Sequence, residues 1–116
     1  MRGLLSMRDK TSSSLRQRRK ALLRGLPPLD AILRGSLIER YKRCGKPGCK
    51  CAKGRGHGPK YYLSISRTGE RPQMDYVPQA YQEQVKQFLA NHQRARTIMD
   101  EICAINHELL RRRERL

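Results

Sequence analysis

The longest regular pattern of apolar residues runs from Pro78 to about Arg113, a stretch free of further Pro and of Gly. Val85, Phe88, His92, Ala95, Met99, Ile102, Asn106 and Leu109 follow one another at steps of three or four. Such steps keep a stripe on one side of a helix and fit the heptads of a coiled coil. His92 and Asn106 then stand at core positions of the heptad, where a polar residue lowers stability but fixes register. Leu89, Ile98, Ile105 and Leu110 widen the stripe, which suits equally well an amphipathic helix packed within its own domain. Pro78 fits the first turn of this helix, and Arg111, Arg112 and Arg113 place cations at its C-terminal end, where the dipole favours them.

Upstream, the period changes from three and four to two. Tyr61, Leu63 and Ile65 alternate with Tyr62, Ser64 and Ser66, a strand pattern. Arg67-Thr68-Gly69-Glu70 reads as a turn, and Gln73 to Val77 as the returning strand, with Pro72 confining it to an edge or a late start. Two strands alone are marginal in water, so this hairpin needs a partner. Leu29, Ile32, Leu33, Leu37 and Ile38 have helical spacing, which predicts a short helix before Tyr41, weakened by Gly35. Leu15, Leu22 and Leu23 would line a helix starting after Ser14 and stopped by Gly25 and Pro27-Pro28. The density of cations there favours instead a flexible arm that orders on a partner.

Charge sharpens this outline. The 116 residues carry 26 Lys and Arg against 10 Asp and Glu, a formal charge of +16, with no Trp and one Phe. Residues 1–27 hold eight basic and one acidic side chain, and residues 28–60 hold nine and two, so the excess lies in the N-terminal half. Such a field attracts polyanions and opposes compaction. No apolar run is long enough to span a bilayer or to serve as a signal segment, which points to a cytoplasmic protein with reduced thiols.

The chemistry is concentrated between Cys44 and His57. Cys44, Cys49, Cys51 and His57 form a C-x4-C-x-C-x5-H set among Gly45, Pro47, Gly48, Gly54 and Gly56. Three thiols and an imidazole can complete a tetrahedral Zn²⁺ site. The one-residue gap between Cys49 and Cys51 is a strained bite for one metal, and Cys103 is the spare thiol. Arg40, Lys42, Arg43, Lys46, Lys50, Lys53, Arg55 and Lys60 surround the set. Fixed on a metal-held loop, these cations would track phosphates. Tyr41, Tyr61 and Tyr62 are interleaved and suit stacking on unpaired bases, although Tyr61 fits the hairpin core better. No paired carboxylates and no phosphate-binding glycine loop are present, which argues against an enzyme.

Ile32 to Tyr41, Cys44 to Cys51, His57 to Ser64 and Tyr76-Val77-Pro78 together resemble a family of small bacterial and archaeal proteins of uncharacterised activity. Its signature reads GSL…RY.RCGKP.C.C…HGPYYYLS, with Lys60 here in place of an aromatic residue. The resemblance covers most of residues 29–116 and implies a coherent domain in a mobile-element setting, beside a transposase. It implies no catalytic residues.

The expectation is therefore an α+β protein in three parts. Residues 1–27 form a basic flexible arm. Residues 28–77 hold a short helix, a zinc-type Cys/His loop and a two-stranded hairpin, and residues 78–116 form a long, coiled-coil-like helix. The expected function is non-enzymatic binding of DNA or RNA, as an accessory to transposition and as a homodimer. The alternative is an adaptor that pairs with a protein through Val85, Phe88, His92, Met99, Ile102, Asn106 and Leu109. A third reading, a thiol enzyme, requires an acidic cysteine without metal.

Overall fold

Thr11 opens the N-terminal helix of the core, after a helical Met7-Arg8. Its backbone is extended, and its Oγ1 accepts a hydrogen bond from the Ser14 N–H at 3.0 Å, satisfying one of the donors that a helix start leaves free. The helix, α1, spans Ser12–Arg24 and stops at Gly25, ahead of the two prolines. The computed structural model describes residues 7–42 and 57–116. The elements that follow are the strands β1 (Ser36–Lys42), β2 (His57–Ile65) and β3 (Gln73–Val77) and a single 3-10 turn at Gln79–Tyr81. The helix α2 (Gln82–Arg111) completes the set. The architecture is α+β: an N-terminal helix, a three-stranded antiparallel sheet in the order β1-β2-β3, and a long C-terminal helix. Contacts divide it into two compact units, one of residues 1–32 with 90–116 and the other of residues 33–89.

In the first unit, α1 runs antiparallel to the second part of α2. Leu15 and Leu22, seven positions apart and so on one face, are buried with Met7, Ile98, Ile105 and Leu109, while Leu26, Ile102 and Ala104 flank them. Ile105 and Leu109 are fully enclosed. Polar links repeat the antiparallel order. Arg18 grips Glu101 through Nε and Nη2 at 2.6 and 3.0 Å, and Arg19 donates to Asn106 Oδ1 at 2.6 Å. Ser12 and Arg16 both reach Glu114. The segment expected to be a flexible arm thus holds a packed helix. Three of its cations, Arg16, Arg18 and Arg19, face acids or an amide some ninety residues away in sequence, a distance at which local composition carries no signal.

Near the end of α2, Glu108 is buried and receives Arg111 and Arg112, each at 2.6 Å. Arg112 also donates to Ser12 Oγ at 3.0 Å and to the Met7 carbonyl at 2.9 Å. Arg111 first, then Arg112, hold the Glu108 carboxyl down at about 2. The helix closes with Arg113 at φ 58, Glu114 N–H bonded to the Leu109 carbonyl and Arg113 N–H to that of Leu110. That is a Schellman cap with arginine where glycine is commoner.

In the second unit, the short helix expected before Tyr41 is instead β1. Leu37 pairs with Leu63, Ile38 with Tyr62 and Glu39 with Tyr61. The apolar spacing around Ile32 and Leu37 fits a helix, but Gly35, at φ 134, interrupts it in the middle. At Gly35 a side chain is also excluded by space: a Cβ there would lie 2.6 Å from the Ser64 carbonyl oxygen and 3.0 Å from Leu63 Cδ1. The hairpin is therefore a three-stranded sheet. β2 and β3 pair from Tyr61↔Val77 to Ile65↔Gln73, and the Arg67 carbonyl accepts from Glu70 N–H in the expected turn, where Gly69 has φ 72. After Arg40↔Lys60 the next β1–β2 pair is Lys42↔His57, so β2 carries an extra residue at Gly58-Pro59. Proline has no N–H for the ladder, which makes this a natural place for a bulge.

Candidate nucleic-acid interface

Side chains alternate across a strand, so the register of the sheet assigns every residue to a face. One face carries Leu37 and Glu39 from β1, Tyr61, Leu63 and Ile65 from β2, and Gln73, Asp75 and Val77 from β3. It is the inner face: Leu63 and Val77 are buried. Tyr61 donates its hydroxyl proton to Glu39 Oε1 at 2.9 Å, and Lys86 Nζ, on the first turns of α2, lies 6.0 Å from the Tyr61 ring centroid. The hydrogen bond to the Glu39 carboxylate raises the pKa of the Tyr61 phenol. Tyr61 is thus committed within the domain, as expected from its place in the hairpin.

The opposite face is built of three cross-strand rows. Ser36, Ser64 and Met74 form the first, Ile38, Tyr62 and Tyr76 the second, and Arg40 with Lys60 the third. No residue of this face is buried, and Tyr76 is 54% exposed. Tyr62 and Tyr76 meet edge to face, with centroids 5.7 Å apart and planes at 65°. Such a pair holds both rings in place. Arg40 and Lys60, directly opposite each other, are both exposed.

The charges of the sheet are segregated. Its acids, Glu39 and Asp75, lie on the inner face with Lys86 nearby, whereas Arg40 and Lys60 share a face with no acid on any described strand position. Two like charges set opposite each other destabilise a strand pair. An external anion would relieve that repulsion. The aromatic row stands two residues along each strand from the cation row, about 7 Å away.

The sequence-predicted site residues fall into three groups. Arg40 and Lys60 are on the open sheet face. Lys42 and His57 form the last backbone pair of β1 and β2, so the segment bearing the cysteines begins and ends at one point beside the cation row. Cys44, Cys49, Cys51, Arg43, Lys46, Lys50, Lys53 and Arg55 lie outside the described residues. Among the described residues no three His, Cys, Asp or Glu side chains come together as a metal site, and Cys103 is a free, exposed thiol.

The third group, the helix seam, is divided between units. Val85 and Phe88 are half-buried in the sheet unit, where the Phe88 carbonyl accepts from Leu33 N–H at 3.1 Å. Ile102 and Leu109 pack on the chain's own α1, Asn106 is engaged by Arg19, and Met99 is 54% exposed. The buried stripe is Ala95, Ile98, Ile105 and Leu109, so the register expected for a partner helix is shifted by one residue at Met99. His92 is half-buried. Sequence reasoning missed Tyr76 as a surface aromatic. The signal was its alternation with Val77 in β3, which sets the two on opposite faces.

No described helix is long and apolar enough to cross a membrane. No curated protein and no solved structure matches the chain at the level that marks a relative. The profile of a domain of unknown function, DUF6788, matches residues 12–87, from the start of α1 through the sheet to the first turns of α2. On that match over most of its length, the chain belongs to the DUF6788 family.

Proposed function

We propose that this protein binds nucleic acid without catalysing a reaction on it. The observation that supports this reading best is the segregation of charge on the sheet, which leaves Arg40 and Lys60 on an exposed face with two tyrosines and no acid at its described strand positions. The cation-rich sequence between Lys42 and His57, with Arg43, Lys46, Lys50, Lys53 and Arg55, supplies further phosphate contacts in this reading. In this proposal Cys44, Cys49, Cys51 and His57 hold a structural Zn²⁺, whose role is to fix that segment so that its cations follow a phosphate backbone. The N-terminal contribution is smaller than its charge suggests, because Arg16 and Arg18 are paired with Glu114 and Glu101. A role as a transposition accessory is consistent with the sequence resemblance.

The test is a fluorescence-anisotropy titration of labelled DNA and RNA oligonucleotides at several salt concentrations. With about five cations on phosphates, the logarithm of the affinity falls with the logarithm of salt at a slope of roughly −4. Binding no stronger than that of a basic peptide of equal charge would overturn the proposal in favour of the adaptor. The adaptor would have to use exposed residues such as Met99 and Leu110, since Leu109 is enclosed by α1.

A further inference from the structure

The open sheet face carries more than charge, and its aromatic row narrows the kind of nucleic acid it fits. We infer that its occupant is a single strand, whose unpaired bases stack on Tyr62 and Tyr76 while its phosphates run past Arg40 and Lys60. This rests on the nucleic-acid reading above and extends it to a substrate class.

Three observations carry it. First, tyrosine rings offer π-faces, and a base offers its own only when unpaired. A duplex presents base edges and phosphates, which cations read and rings do not. Tyr76 is more than half exposed, and Tyr62 braces it edge to face. Second, the row next to the rings is Arg40 and Lys60, so a strand laid across the face meets cations one row from its stacked bases. No acid on the described part of that face opposes it. Third, the sheet is broader than the two-stranded ribbon that a duplex groove commonly takes. A major groove of about 12 Å admits a helix or a two-stranded ribbon. Here the outer strands of a three-stranded sheet are about 10 Å apart between axes before side chains are counted.

The experiment uses the full chain, a labelled 20-nucleotide thymidine strand, a uridine strand of equal length and a 20-base-pair duplex, at one salt concentration. The wild type is expected to bind the single strands at least tenfold more tightly than the duplex. Tyr76→Ala should weaken single-strand binding about 5- to 100-fold, the range for one stacked base, while Tyr76→Phe restores it. Neither change should alter duplex affinity or the slope against salt. Arg40→Gln should weaken all probes and flatten the slope by about one unit. A second readout is tyrosine emission, which the absence of tryptophan leaves unobscured. The thymidine strand should quench it in the wild type and less in Tyr76→Ala. Thermal melts of the variants identify any loss of fold, and Tyr76→Phe keeps the proposal falsifiable if Tyr76→Ala unfolds. Equal affinity for duplex and single strand, or a Tyr76→Ala effect equal on both, overturns the stacking inference and leaves nucleic-acid binding standing. No salt-dependent binding to any probe overturns both.

Discussion

Gly35 and Gly69 offer a matched pair of perturbations in one sheet. Both have positive φ, 134 and 72, so alanine is strained at each. Their surroundings differ: a Cβ at Gly69 meets nothing within 4 Å, whereas at Gly35 it falls 2.6 Å from the Ser64 carbonyl oxygen, 3.0 Å from Leu63 Cδ1 and 3.3 Å from Ile65 Cγ1. Gly69→Ala bears only the left-handed backbone, about 1 kcal/mol once the stiffer unfolded chain is allowed for. Gly35→Ala bears about 1–3 kcal/mol of backbone strain. It must also displace a main-chain oxygen of the central strand, loosening the Ser36↔Ser64 pair by roughly one hydrogen bond, about 1 kcal/mol. The expected losses are therefore about 3 kcal/mol for Gly35→Ala and about 1 kcal/mol for Gly69→Ala, a difference of roughly 10 °C in melting temperature. All five tyrosines lie in the unit of residues 33–89, so urea denaturation followed by tyrosine emission reads this unit specifically. Equal losses at the two glycines would refute the reasoning, because they would mean that contact with Ser64 does not constrain the start of β1.

Three further outcomes follow from the same packing. Ile105→Ala, at a fully enclosed site, should cost about 2–5 kcal/mol in chemical denaturation, and Met99→Ala, at an exposed one, less than about 1 kcal/mol. A reversal of that order would restore the intermolecular seam through Met99. The Glu108 carboxyl is held at about 2 against an ordinary 4.5, so its ionised form stabilises the fold fully above pH 4.5, and that contribution is lost as pH falls toward 2. Glu108→Gln should lower the melting temperature at pH 7 and flatten its decline between pH 4.5 and 2, and an unchanged profile would show that the arginines do not hold this carboxylate. Native mass spectrometry of protein purified without added metal should find one zinc per chain, lost on Cys44→Ser; free, rapidly alkylated thiols would remove the metal from the proposal.

What could be read from the sequence depended on whether a partner lay nearby in the chain. β2, β3 and their turn were legible because Tyr61 to Val77 hold the alternation, the turn glycine and the pairing partner within one short stretch. The long helix was legible from its period and from Pro78. β1 was not, because its two faces read Leu37, Glu39, Tyr41 and Ile38, Arg40, mixing charge and apolar character on each. Only pairing with β2 declares it a strand. Likewise α1 shows two buried leucines among five cations, and what makes it a helix is a stripe on α2 and the acids Glu101 and Glu114. The candidate interface was half legible: Arg40, Lys60 and Tyr62 stood out as basic and aromatic, but the separation of charge between faces emerges only from the register.

The burial of Leu15 and Leu22 against Ile98, Ile105 and Leu109 has a kinetic consequence. Leu22 and Ile98 are 76 positions apart, and bringing them together requires closing a loop worth about 4 kcal/mol of chain entropy. During synthesis at about 5–20 residues per second, the first helix waits roughly 4–15 s for the residues that cover it. A 13-residue helix is marginal alone, so through that interval the segment is a nascent, highly cationic strand with two unshielded leucines. The sheet, whose pairings are all between neighbours in the chain, has no such wait. It is expected to nucleate first, and the helical pair to close over the finished length of α2 as the last event of folding.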